Sequence, residues 1–531
     1  MLVTNTERTI LVVGAGPTGL ILACDLLASG VPVRLVDAAA GPATTSRALG
    51  LQPRGVEVLE RAGGLGDLEL RSNPIARVAV HLGSRTAATL DLGRTTRLVT
   101  RPGLLVSQAE IEAGLRVRLA ELGGRVEWGQ EVTDLRQDAD GVTTVLGDGS
   151  ALAADWVVGC DGAHSRVRKL AGIPFPGVQI IERFLLADVH ARLPAGRDTV
   201  SVFVSGEDMV AAFPLPGEDL WRLMAPAPAG TPDDLDDGAV VDLLTGALRA
   251  RTGWPPSVVG AAEWTSTFRI HRRLADHYRR GRVLLAGDAA HIHSPVGGQG
   301  LNTGIGDAEN LAWKLALVAH GVADPVLLDT YEAERRPVAE EVLQSTSALT
   351  RMVMGDSLPA RLLRDRVFLP ALRRAAVQRL IWEQASQLRI SYRRGPLAGS
   401  RWAAAGRRPR PGDRVADLPC RRPDGSTTRL HAELGSRWAL LVPPARSAGE
   451  AARIDDHAAA VRHRLGGLVQ VLTATGARTR QLLLVRPDAH LFWRGGLAAT
   501  GPDARLASAL GSGRGRILPS SSLPGPEVEH R

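Results

Sequence analysis

Residues 282–304 concentrate groups suited to holding a flat, polar ligand. Val283-Leu-Leu-Ala286 is an apolar run of strand length, ended by Gly287-Asp288. His291, His293 and a loop rich in Pro and Gly follow (Pro295, Gly297, Gly298, Gly300), and a helical pattern begins near Leu301-Asn302. Glycine lets a backbone approach a ligand closely. A helix start offers unpaired N–H groups and a partial positive charge. A second segment has the same character. Thr9-Ile-Leu-Val-Val reads as a buried strand running into Gly14-Ala-Gly16-Pro17-Thr18-Gly19, then an apolar helix ending at Gly30, then a strand closing on Asp37. That is the full β-α-β setting of a dinucleotide site. The glycines allow the tight turn, the helix start takes the pyrophosphate, and Asp37 can accept from ribose hydroxyls. The plainer reading is a glycine-rich turn in an ordinary α/β unit. A third segment, Asp155-Trp-Val-Val-Gly-Cys160, is again strand-like and ends in Asp161-Gly162, with Ser165, Arg166 and Arg168 beyond.

Single residues add candidates. Arg47 can reach a phosphate and Arg54 opens a helix, although a lone Arg is ordinarily a solvated surface residue. Ser107-Gln108-Ala-Glu110 has capping-box spacing, which puts Gln108 in a first helical turn, either facing a ligand or simply polar there. His291 and His293 are candidates for a general base, or else packed structural residues. His-x-His also has metal-ligand character, but no third ligand is placed, so no metal is expected.

The elements that position these groups read as α/β. Residues 1–74, 106–174 and 271–337 are expected to form the dinucleotide-binding domain. Residues 75–105 and 175–270, with alternating strands such as Thr199–Val204 and Pro-rich breaks, form a mainly β substrate domain. Residues 338–395 read as helical, 396–414 as a basic linker, 415–515 as a small α/β module, and 516–531 as a disordered tail. At 531 residues the chain has ample length for several domains, and its 44% hydrophobic and 23% charged content is ordinary for a globular protein. The net charge of +8 does not argue for nucleic acid. All but Lys169 and Lys314 of the 64 basic residues are Arg, scattered among 56 acids. Cys24, Cys160 and Cys420 form no C-x-x-C, which excludes a dithiol redox motif. Few cysteines, no signal-like start and no membrane-length segment point to a cytoplasmic protein with no membrane partner.

The three glycine-rich segments, in this order and spacing, resemble the single-component FAD-dependent aromatic hydroxylases, the para-hydroxybenzoate hydroxylase group. The resemblance covers roughly residues 1–395. Val485-Arg-Pro-Asp488 with Phe492-Trp-Arg494 resembles the thioredoxin-like tail of the phenol and aromatic-polyketide hydroxylase branch, here without its cysteine pair. The resemblance implies a Rossmann-like FAD-binding domain with an inserted substrate domain. It implies FAD contacts at Gly14, Gly16, Pro17, Thr18, Gly19, Asp37 (where the family more often has Glu), Arg47 and Gln108. It extends them to Asp161, Gly162, Asp288, Pro295, Gly298, Gly300, Leu301 and Asn302. The implied activity is hydroxylation of a bulky aromatic or phenolic polyketide-type metabolite, as in antibiotic biosynthesis. NAD(P)H (NADPH favoured) and O₂ would be consumed through a flavin C4a-hydroperoxide. Baeyer–Villiger oxidation, epoxidation, an oxidase or dehydrogenase, or a non-catalytic flavin-binding role are the alternatives. No second strand-plus-G-x-G-x-x-G unit is present, so NAD(P)H is expected to dock transiently. The protein is expected to be a monomer or homodimer.

Overall fold

The computed structural model describes residues 9–511 apart from 46–47, 84, 94, 97, 206–207, 294–297, 355–361, 400–408, 476–479 and 500; for 179–182, 270–271 and 346–354 it describes the backbone alone. Arg47, Pro295 and the tail 516–531 therefore lie outside the described residues.

Apolar runs bounded by glycine become the central strands of a six-stranded sheet. Its order is Arg279–Arg280, Val283–Leu285, Trp156–Gly159, Ile10–Val13, Val33–Val36, Val126–Glu127. All neighbours are parallel except the first pair. Strands buried on both faces need continuous apolar sequence, and Ile10–Val13 and Trp156–Gly159 are buried throughout. The register pairs Val13 with Gly159 and Gly159 with Leu285, so three strands end side by side. In open parallel sheets, ligands bind outside the carboxyl ends of the strands.

A second, eight-stranded sheet takes segments from both sides of the chain. Arg77–Leu82 and Arg85–Asp91 join strands between Gly177 and Leu274, with Arg77–Leu82 parallel to Thr199–Ser205. The helix Asp237–Thr252 covers one face through Val240, Leu244 and Leu248. The opposite face carries Phe184, Leu186, Met209 and Met224, with Phe213, Trp264 and Phe268 partly exposed beside them. At the sheet's edge His291–Ile292 pairs with Arg273–Leu274. The loop after Asp288 is thus stitched to both sheets.

The C-terminal six-stranded sheet, centred on Trp438–Val442, packs its outer helices Ala448–Leu465 and Pro502–Leu510 into the main core. Trp438 meets Trp313 edge-to-face at 5.2 Å. Charges cross the same boundary. Arg54, expected on the surface, is 6% exposed. It donates to Glu309 (2.6 Å) and to the Asp488 carbonyl (2.9 Å). Arg414 pairs with Glu57, and Arg486 forks onto Glu334 at 2.7 and 3.0 Å. Lys314 and Asn310 donate to the same Glu334 carboxylate, at 2.8 and 2.9 Å. Burying these ions is costly, and each is tolerated because its partner is also buried. Removing one partner of such a pair costs about 3–5 kcal/mol.

Burial by itself would raise the carboxyl pKa values of Glu57 and Glu334. Arg414 and Arg54 around the first, and Arg486 and Lys314 around the second, instead bring each to about 2. A depressed carboxyl adds stability above its unfolded value, here 4.5, and loses it as pH falls through the folded value. The contact between Trp313 and Trp438 is therefore expected to hold from neutrality down to pH 4.5 and to be lost between there and about 2. Tryptophan fluorescence during acid titration measures this. Loss of the contact above pH 5, or its survival at pH 2, would contradict the assignment.

Candidate functional site

The three sequence segments meet at the carboxyl edge of the first sheet. Gly14 adopts φ +105°, and a Cβ there would press on the Cys160–Asp161 peptide, 2.8 Å from the Asp161 nitrogen. Thr18, in the first turn of the helix Pro17–Ala28, lies against Gly287 and Gly304. A Cβ on either would come within 2.6 Å of its hydroxyl oxygen. Gly16 differs, because nothing lies within 4 Å of where its Cβ would be. The N–H groups of Gly16, Thr18 and Gly19 bond to no described residue, and the helix has no acid in its first turn. An open space over free N–H groups at a helix start is a fit for a pyrophosphate.

Asp37 accepts from Ala15 N (2.6 Å) and Ala39 N (2.8 Å), one on each carboxylate oxygen. It therefore braces the glycine turn, and each oxygen keeps a lone pair for a hydroxyl. Gln108 stands in the first turn of Gln108–Glu121, donating to Glu112 at 2.7 Å. Burial raises the Glu112 carboxyl, and the nearby charge of Asp37 adds to the shift. Ser107 caps the helix through Ala109 N, while Glu110 turns outward to Arg71, so the capping box is half formed.

Asp161 is committed within the chain. It accepts from Ser165 Oγ, Arg166 N (2.7 Å) and Val167 N (3.0 Å). These bonds terminate the strand and hold the Gly162 turn (φ +74°), where no Cβ contact would arise. Asp288 is the opposite case. It lies open to the cleft and makes no hydrogen bond or ion pair with a described residue. The protein walls around it strip away water, and this desolvation raises its carboxyl pKa. An unpartnered acceptor in a cleft suits ligand hydroxyls.

The helix Gly300–Ala319 makes its first internal bond at Thr303 N, leaving the N–H groups of Gly300, Leu301 and Asn302 without a described partner. No acid occupies its first turn. The Asn302 side chain accepts from Gln52 N (2.8 Å) and donates to the carbonyls of Gly298 (2.9 Å) and Gly50 (3.3 Å). It clamps two loops together.

His291 is fully buried, and its Nε2 donates to Asp307 at 2.6 Å. His293 stacks on it at 5.6 Å. Burial, reinforced by His291, takes the His293 imidazole down to about 3. A base that weak does little for proton abstraction near neutrality. Both rings read better as floor structure than as catalytic bases.

Sequence reasoning missed the groups that hold this floor. Asp307 accepts from Gly287 N (3.1 Å), from His291 and from Arg335 Nε (2.7 Å). Arg168 donates to the Ala289 carbonyl (2.9 Å) and the Ala163 carbonyl (3.0 Å), tying the second segment to the third. Asp307 lies seven residues after Gly300, on the same helix; a polar residue at an otherwise apolar position was the available signal.

Comparison with known proteins places the chain in a family. The FAD binding domain family model matches residues 7–346. The 6-methylpretetramide 4-monooxygenase of Streptomyces rimosus is 34% identical over 97% of this chain and 95% of its own length. The structure of an anhydrotetracycline hydroxylase from Streptomyces rimosus superimposes with a TM-score of 0.75 at 33% identity, covering 95% of this chain and 99% of that one. Aklavinone-11 hydroxylase, solved with FAD and aklavinone, gives 0.76 at 26% identity, covering 95% and 99%. With its glycine turn, two helix starts and Asp288 meeting at one sheet edge, the chain belongs to the FAD binding domain family, among the class A flavoprotein aromatic hydroxylases.

Proposed function

We propose that the protein is an FAD-dependent monooxygenase that hydroxylates a bulky, polycyclic phenolic substrate using NAD(P)H and O₂. The observation that carries this reading is the meeting of two helix starts without side-chain caps and a carboxylate that no described residue pairs, at one sheet edge, next to a second sheet with an aromatic face. In this reading the pyrophosphate lies over Gly16, Thr18 and Gly19, and Asp37 and Gln108 hold the ribose end. Asp288 accepts from the ribityl chain. Gly298, Gly300, Leu301 and Asn302 border the ring, and Arg47 and Pro295 belong to the same set. When bound and reduced, FAD supplies the activation of O₂. The N–H groups of Leu301 and Asn302 would stabilise negative charge at the ring's pyrimidine edge. Phe213, Trp264 and Phe268 offer a stacking face for a polycyclic substrate, and the enclosing sheets exclude water from the reacting centre.

The same reading assigns residues 75–105 and 175–270 to substrate binding and 1–74, 106–174 and 271–337 to FAD. Residues 338–395 form a helical cover, 396–414 a linker, and 415–515 a thioredoxin-like module without redox function. The burial of Cys420 supports that last point. Relatives named for 6-methylpretetramide, anhydrotetracycline and aklavinone support a polyketide substrate. No helix among the described residues is long and apolar enough to cross a membrane.

Asp288→Asn is expected to weaken FAD binding about tenfold to a hundredfold, because a charged acceptor is worth about 1.5–3 kcal/mol per hydrogen bond. Equilibrium titration of apoprotein with FAD measures it, and wild-type affinity would remove Asp288 from the ribityl site. Turnover of polycyclic phenols under ¹⁸O₂ with NAD(P)H is expected to add one labelled oxygen to the product. NAD(P)H consumption with unlabelled product across the panel would instead identify an oxidase.

A further inference from the structure

The C-terminal module reaches the floor of the site through a continuous set of buried contacts. Its turn Arg486–His490 contains Ala489, which is fully buried at φ +59°. Among the described non-glycine residues, Gln387 alone shares a positive φ, also 59°. Such conformations are strained and persist only where the surroundings over-determine them. Both residues border the same structure. The His490 ring packs on Tyr392 at 4.3 Å, and the Arg486 guanidinium lies 5.1 Å from the Tyr392 ring centre. Tyr392 Oη accepts from Arg335 (3.0 Å), which donates to the Thr303 carbonyl (2.9 Å) and to Asp307. Asp307 holds Gly287 N and His291. Gln387 Nε2 donates to Thr303 Oγ1 at 3.3 Å.

We propose that the C-terminal module positions the flavin floor, with Tyr392 as the residue that couples the Arg486–His490 turn to Arg335, Asp307 and the first turn of the Gly300–Ala319 helix. Tyr392 and His490 are positioning residues, since they act through Arg335 and Asp307. The inference rests on reading residues 287–293 and 298–304 as the floor under FAD. Its physical basis is that Arg335 must place three donors at once, on Tyr392, Thr303 and Asp307. A planar guanidinium fixes their relative angles, so a shift of Tyr392 reaches Thr303 and Asp307 together.

The full-length protein tests it, with FAD as the probe. Tyr392→Phe deletes the hydroxyl and keeps the ring; His490→Leu alters the packing on Tyr392 and serves if the first variant does not fold. Arg464→Ala, at an exposed ion pair with Asp503 on the same module, is the control. Either variant is expected to bind FAD about tenfold more weakly, as one buried hydrogen bond left unmade implies. It is also expected to change the long-wavelength absorption band of bound FAD, which loss of global stability alone would not do. Arg464→Ala should match the wild type in both. If a folded Tyr392→Phe or His490→Leu protein keeps the wild-type affinity and spectrum while Asp307→Asn changes them, the coupling is wrong. If Asp307→Asn and Asp288→Asn also leave both unchanged, the reading of the floor fails instead.

Discussion

Thr18 sits so close to Gly287 and Gly304 that neither position has room for a Cβ, and the rest of the site depends on that approach. It brings the start of one helix against the end of a strand from the far side of the sequence and the start of a second helix. Gly14 does the same against the Cys160–Asp161 peptide. Three backbones meet there without side chains between them, and at two helix starts their N–H groups have no described partner. The Asp288 carboxylate, which no described residue pairs, and the open volume over Gly16 complete a surface that alternates donors and acceptors, as a dinucleotide does.

Holding this arrangement requires charges the cleft does not display. Asp307 receives Gly287, His291 and Arg335 below the floor, and Arg168 fastens the second segment to the third. Farther out, Arg54, Glu309, Glu334, Arg486 and Asp488 lock the C-terminal module against the same helices. A buried charge network is a poor source of net stability, because desolvation offsets much of the Coulomb gain. It does specify one arrangement, since each donor has only one set of acceptors in reach.

This division explains what the sequence disclosed. The glycine turns and their flanking strands were legible because local chemistry demands those residue types at fixed spacing; Asp288 was singled out through the family resemblance. The β-α-β unit needs no distant partner to be recognised. Arg54, Asp307 and Arg335 were not legible, because their roles come from partners 255, 16 and 28 residues away. Taken alone, an Arg reads as a surface residue. Asp161 was legible as a motif, and its bonds to Ser165, Arg166 and Val167 hold the turn that follows the strand. His291 and His293 drew attention as candidate bases, and their stacking and burial give them a structural place. The aromatic face of the second sheet was visible only as alternation, because the residues that form it are apolar and scattered over several strands.

The central claim is that the three glycine-bearing strand ends form one FAD site. A crystal structure of the protein grown with FAD tests it most directly. The account predicts the pyrophosphate over the N–H groups of Gly16, Thr18 and Gly19, the ribityl hydroxyls on Asp288, and the flavin ring's pyrimidine edge at Leu301 and Asn302. FAD bound elsewhere, or a cleft at Gly16 closed to the pyrophosphate in a protein that retains FAD, would contradict it.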